Sequence, residues 1–75
     1  MMFLVDNKEK TYYMFDENKF SFYDYDENYN QSIITNMEDL KKLVKKYNEK
    51  MNSDLELMSN IKGTEKENYR RKVML

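Results

Sequence analysis

The chain is 75 residues long and 36% charged, yet nearly balanced at net −1, and it has no cysteine, no histidine and no proline. That length predicts one small domain, 1–75, whose core supplies only about 3 to 5 kcal/mol of net stability. Without cysteine there is no disulfide or thiolate-zinc staple, and without histidine the commonest general base and metal ligand are both missing, so we expect no enzyme, no cofactor and no metal site.

The first predicted element is a strand in FLVD, preceded by an apolar start, MMFLV, too short for a signal-peptide core and interrupted by Asp6. No apolar run approaches the roughly 18 residues of a membrane span, so a soluble, cytoplasmic protein with no membrane partner is expected. Further strands are read in TYYMF, KFSFYDY and SIIT, separated by DNKE, DEN and DENYN. Aromatic and β-branched residues favour a pleated surface, and Asx-rich clusters close turns. Asp16-Glu17-Asn18 recurs as Asp26-Glu27-Asn28, each after an aromatic, a spacing that suits hairpins of a meander with Asn18 and Asn28 in the left-handed conformation. Over about twenty residues this pattern resembles the hairpin repeats of bacterial cell-wall-binding and glucan-binding modules, without the tryptophans and glycines of their ligand pockets.

With DENK as a four-residue loop, Phe15 faces Phe20, Tyr13 faces Phe22 and Tyr12 faces Tyr23. One sheet face then carries Tyr13, Phe15, Phe20 and Phe22, with Met2 and Leu4; the other carries Tyr12, Met14, Tyr23 and Tyr25, with Phe3 and Val5. Both faces want cover. Asp24-x-Asp26-x-Asn28 matches the start of a calcium loop, but Tyr29 stands at the required glycine and Thr35 at the required glutamate, so an acidic turn is expected.

The second half reads as helices. Thr35-Asn36-Met37-Glu38 is a capping box, after which Met37, Leu40, Leu43, Val44, Tyr47 and Met51 form one stripe, predicting a helix over about 36–51 that lies on the Phe-rich face. Lys41, Lys42, Lys45, Lys46 and Lys50 lie opposite, among Glu38, Asp39 and Glu49, as a solvated face. Boxes at Ser53–Glu56 and Thr64–Glu67 predict one or two short C-terminal helices, the last ending in the basic run Arg70, Arg71 and Lys72. The rival for 54–75 is a hairpin of two alternating strands, Leu55–Leu57 and Tyr69–Leu75.

The expected fold is therefore α+β: an N-terminal antiparallel meander of three or four strands (1–35), packed against an amphipathic helix, then one or two short helices (36–75 in all). Tyrosine offers contact area with a polar tip at low entropic cost. The expected function is a non-enzymatic protein-binding module whose acidic, tyrosine-rich surface, Tyr12, Tyr23, Asp24, Tyr25 and Asp26, contacts a host protein. The chain lacks alanine and is rich in Asn, Lys, Tyr, Ile and Met, as an AT-rich genome would encode, which points to a phage or mobile-element accessory protein that inhibits a host protein, for example one of defence. The alternative is a dimeric DNA- or RNA-associated regulator acting through Arg70, Arg71 and Lys72; homodimerisation is a further way to cover the tyrosine face.

Overall fold

The computed structural model describes residues 1–61 and 67–73. Its described elements are six strands and one helix: β1 (Met2–Asp6), β2 (Thr11–Phe15), β3 (Phe22–Tyr25), β4 (Gln31–Ile34), α1 (Met37–Met51), β5 (Leu55–Met58) and β6 (Arg70–Lys72). The α+β class stands, but the strands form two sheets, one of order β5-β1-β2-β6 and a separate ribbon of β3 and β4.

In the first hairpin Met2 faces Phe15, Leu4 faces Tyr13 and Val5 faces Tyr12. This pairing puts Met2, Leu4, Tyr13 and Phe15 on one face and Phe3, Val5, Tyr12 and Met14 on the other, because successive side chains alternate. Asp6 closes the hairpin by accepting the Lys8 and Glu9 backbone N–H groups at 3.0 Å each.

The expected ladder between β2 and β3 does not form. The edge of β2 away from β1 is occupied by β6, which runs parallel to it with Thr11 opposite Arg70 and Tyr13 opposite Lys72. A strand has two edges, so β3 is left without a seat. The hairpin survives only as a bridge between Asp16 and Lys19, after which β3 leaves the sheet plane. The expected ring contacts persist without the backbone ladder: Phe15 meets Phe20 at 5.1 Å and Tyr13 meets Phe22 at 5.7 Å, both edge to face. Phe15, 5% exposed, also meets Phe22 at 5.4 Å and is the hub of the cluster.

The C-terminal helix expectation is corrected at Leu55–Met58 and Arg70–Lys72, both strands. They do not form the rival hairpin either: β5 pairs with β1, Asp6 opposite Leu55 and Phe3 opposite Met58, at the far edge from β6. Asn48 explains the loss of the Ser53 cap. Its side-chain oxygen accepts from the Ser53 hydroxyl and the Leu55 N–H, both at 2.8 Å, while its Nδ2 donates to the Leu55 carbonyl at 2.9 Å. The amide thus acts as a strand partner to Leu55 and holds it extended, so the backbone after Ser53 does not turn into a helix. Thr64 to Lys66 of the third box lie outside the described residues.

Helix α1 is the best anticipated element, with its cap moved by one residue. Asn36 rather than Thr35 is the N-cap: its side chain accepts from the Asp39 N–H and donates to the Asp39 carboxylate, each at 2.9 Å. An asparagine cap with an acid three positions on satisfies the orphan amides as well as threonine does. At the other end Asn52 takes the left-handed conformation, φ 51°, and Lys8 Nζ donates to its carbonyl.

Two layers of core result. The Leu4 face is covered by α1 through the almost fully buried Leu40 and by the Phe20–Phe22 rings of the ribbon stem. The opposite face holds Phe3, Val5 and Ile61, joined by Tyr12, Met14, Met58 and Tyr69. Tyr69 donates from its hydroxyl to Asn7 Oδ1 at 2.8 Å. Ile61 and Tyr69, on either side of the undescribed residues, therefore cover Tyr12.

Candidate functional site

The ribbon decides where the tyrosines go. In it Phe22 faces Ile34, Tyr23 faces Ile33, Asp24 faces Ser32 and Tyr25 faces Gln31. Alternation sends Phe22, Asp24 and Ile34 toward α1 and sends Tyr23, Tyr25, Gln31 and Ile33 outward. Tyr23, Tyr25 and Ile33 are 52%, 54% and 61% exposed, so the outer face is an apolar and aromatic patch open to solvent. The Tyr25 hydroxyl accepts from Gln31 Nε2 at 3.0 Å, which fixes that ring across the ribbon.

Of the five residues anticipated as one contact surface, the structure gathers two. Tyr23 and Tyr25 share the outer face. Tyr12 is half-buried on the far side of the main sheet, edge to face with Phe3 at 5.8 Å. Asp24 points inward and pairs with Lys46 of α1 at 2.7 Å. Asp26 is drawn into the turn, where its carboxylate accepts the Asn28 and Asn30 backbone N–H groups at 2.8 Å and Asn30 Nδ2 at 3.0 Å. The calcium-like spacing therefore sends Asp24 and Asp26 to different partners.

The two Asp-Glu-Asn turns are built alike: Asn18 N–H donates to the Asp16 side chain at 2.9 Å, as Asn28 N–H does to Asp26. Neither asparagine is left-handed, however. That role falls to Tyr29, φ 63°, and in the first hairpin to Lys10, φ 57°. The Asp26 turn is longer because Asn30 returns two bonds to the aspartate, which moves the left-handed residue to the position before it.

The Asn30 backbone and side-chain donors, and then the Asn28 N–H and nearby Lys46, hold the Asp26 carboxyl below its ordinary value of 3.8. A folded-state value below the unfolded one contributes stability that is full above the unfolded value and lost as pH falls through the folded one. Asp26→Asn, which keeps one acceptor for the turn but removes the charge, is expected to be less stable than the wild type at neutral pH and to show a flatter loss of stability below about pH 4. Urea unfolding followed across that range checks this; an unchanged acid limb would refute it.

Sequence reasoning missed Ile33 and Gln31 as neighbours of the tyrosines. The readable signal was QSIIT, where adjacent isoleucines must point to opposite faces and only one reaches the core. It also placed Tyr47 and Met51 under the sheet, whereas they are 45% and 57% exposed. They line a cleft of about 380 Å³ between α1 and the ribbon, with Leu4, Leu43, Tyr23 and Tyr25, so the aromatic surface continues from the ribbon toward the helix.

The basic run is on an edge strand. Lys72 pairs with Glu9 at 3.0 Å, the Arg70 N–H donates to the Lys10 carbonyl at 2.9 Å, and Lys10 Nζ lies 5.2 Å from the Tyr69 ring centre. Arg70 and Arg71 are exposed, and neither forms an ion pair among the described residues. No helix of the described residues is long and apolar enough to cross a membrane. Comparison with known proteins finds no matching family model, no matching curated protein and no matching solved structure.

Proposed function

We propose that the protein is a non-enzymatic protein-binding module, an accessory of a phage or mobile element that acts in the cytoplasm by inhibiting or redirecting a host protein, with defence proteins as the leading class. The observation that carries this reading is the outward face of the ribbon, where Tyr23, Tyr25 and Ile33 stand together in water. Large aromatic surface of this kind is enriched where proteins bind one another. The ionised Asp26 and neighbouring Glu27 at the tip favour a partner with a basic groove, and Asp24 adds nothing while Lys46 neutralises it.

The test is capture of the partner from host extract by tagged protein, with Tyr23→Ala plus Tyr25→Ala beside the wild type. Both residues are half exposed, so the double variant is expected to lose about 1 kcal/mol of stability at most, melt cooperatively and lose the captured protein. Unfolding of the double variant would make those tyrosines core, and undiminished capture would place the contact elsewhere.

A second reading, a nucleic-acid-associated regulator, is favoured by the exposed Arg70 and Arg71 beside Lys10, which have no ion-pair partner among the described residues. Reversing Arg70, Arg71 and Lys72 to glutamate separates the two. Under the first reading protein capture survives the reversal; nucleic-acid retention by the wild type that the reversal abolishes would put the second in its place.

A further inference from the structure

The ribbon offers a free backbone edge whose geometry can be worked out. At its turn the Asp26 N–H donates to the Asn30 carbonyl at 3.1 Å, so that pair is hydrogen-bonded. In an antiparallel ladder hydrogen-bonded and non-bonded pairs alternate. Asp24–Ser32 and Phe22–Ile34 are then bonded pairs, and Tyr25–Gln31 and Tyr23–Ile33 are not. The N–H and C=O groups of Gln31 and Ile33 therefore point away from β3, along an edge that no other strand among the described residues occupies.

We propose that this edge of β4 pairs with the same edge of a second copy, antiparallel about a two-fold axis at Ser32. Gln31 of each copy then lies opposite Ile33 of the other, and each such pair exchanges two backbone hydrogen bonds. The ribbons become one four-stranded sheet, with Tyr23, Tyr25 and Ile33 of both copies on a single face.

Charge selects β4 among the edges, because a two-fold axis sets each edge against itself. On β3 the equivalent axis falls at Asp24 and sets two Asp24–Lys46 ion pairs, like against like, at the seam. On β6, whose three residues are all basic, it brings arginines together. On β5 the outward groups of Leu55 are already taken by Asn48. Only β4 is uncharged, and its axis brings two serine hydroxyls together; an edge of this composition lacks the charges and prolines that normally block pairing.

This inference does not rest on the tyrosine face binding another protein. Its test is sedimentation equilibrium and light scattering on the pure protein over a concentration series reaching the millimolar range. A mass of twice 9.3 kDa is expected. Ile33→Pro removes an N–H that the ribbon itself does not use, two across the interface, and is expected to raise the dimer dissociation constant about tenfold or more.

Should the proline variant fail to fold, a charge pair decides. Gln31→Lys with Ile33→Lys sets lysines against lysines and should give a monomer, while Gln31→Glu with Ile33→Lys sets each glutamate against a lysine of the other copy and should restore the dimer. A wild type that stays monomeric throughout overturns the proposal. So does a dimer indifferent to all three variants.

Discussion

Replacing Phe15 with alanine is expected to unfold most of the protein at room temperature. Phe15 is buried between the main sheet and the ribbon and touches the rings of Tyr13, Phe20 and Phe22 at 6.2, 5.1 and 5.4 Å. Truncating a buried phenylalanine costs about 3–5 kcal/mol, and the whole core of a chain this size supplies about that much. The site cannot collapse to compensate, because β3 has no ladder to β2 and is held there mainly by these rings. Thermal melting by circular dichroism checks the result, with Phe15→Leu retaining a cooperative transition at lower temperature. A stable alanine variant would mean that the Asp24–Lys46 pair and the Asp16–Lys19 bridge hold the ribbon alone.

The next largest effect is expected at Asn48. Alanine there removes three hydrogen bonds, two to Leu55 and one to Ser53, and leaves half-buried groups of Leu55 unpaired. At about 1 kcal/mol for each bond the loss is roughly 2–3 kcal/mol. Asn48→Asp is more diagnostic. It keeps the acceptor for Ser53 and the Leu55 N–H but sets a carboxylate against the Leu55 carbonyl, so it should be destabilised at neutral pH and partly recover on acidification, as protonation restores a donor. Urea unfolding at two pH values reads both variants, and equal stability of Asn48→Ala and wild type would refute the role of the amide.

How much of this was legible in the sequence depends on how local the causes are. The strands TYYMF and SIIT, the two faces of the first hairpin and the helix from Met37 to Met51 follow from side-chain period and caps within a few residues. The ring contacts of Phe15 with Phe20 and Tyr13 with Phe22 were legible too, because a short loop fixes them. The sequence could not show that Arg70–Lys72 would take the edge of β2, since nothing near either segment announces a partner so distant. A cap at Ser53 was a fair local reading that Asn48 overrides from the preceding helix. A ten-residue rhythm went unread: Asp6, Asp16 and Asp26 each open a turn by accepting backbone N–H groups two or more residues ahead.

For the candidate site, Tyr23 and Tyr25 were placed together correctly, since residues two apart in a strand share a face. Tyr12 was grouped with them on the assumption of a β2–β3 ladder, and Asp24 on composition alone. Once β3 leaves the sheet, Tyr12 stays behind under Tyr69 and Ile61, and Asp24 turns to the lysine that the helix brings within reach.

The parallel seat of β6 on β2 also bears on the order in which the chain can organise. The hairpin joining β2 to β3 closes a loop of a few residues, whereas Thr11 must wait for Arg70. Loop-closure cost rises by about 0.6 kcal/mol with each doubling of length, so the distant pairing starts roughly 2 kcal/mol behind the local one. The local β2–β3 pairing is thus the cheaper one to close, and the native fold keeps only its Asp16–Lys19 bridge, with the edge of β2 beyond it given to β6.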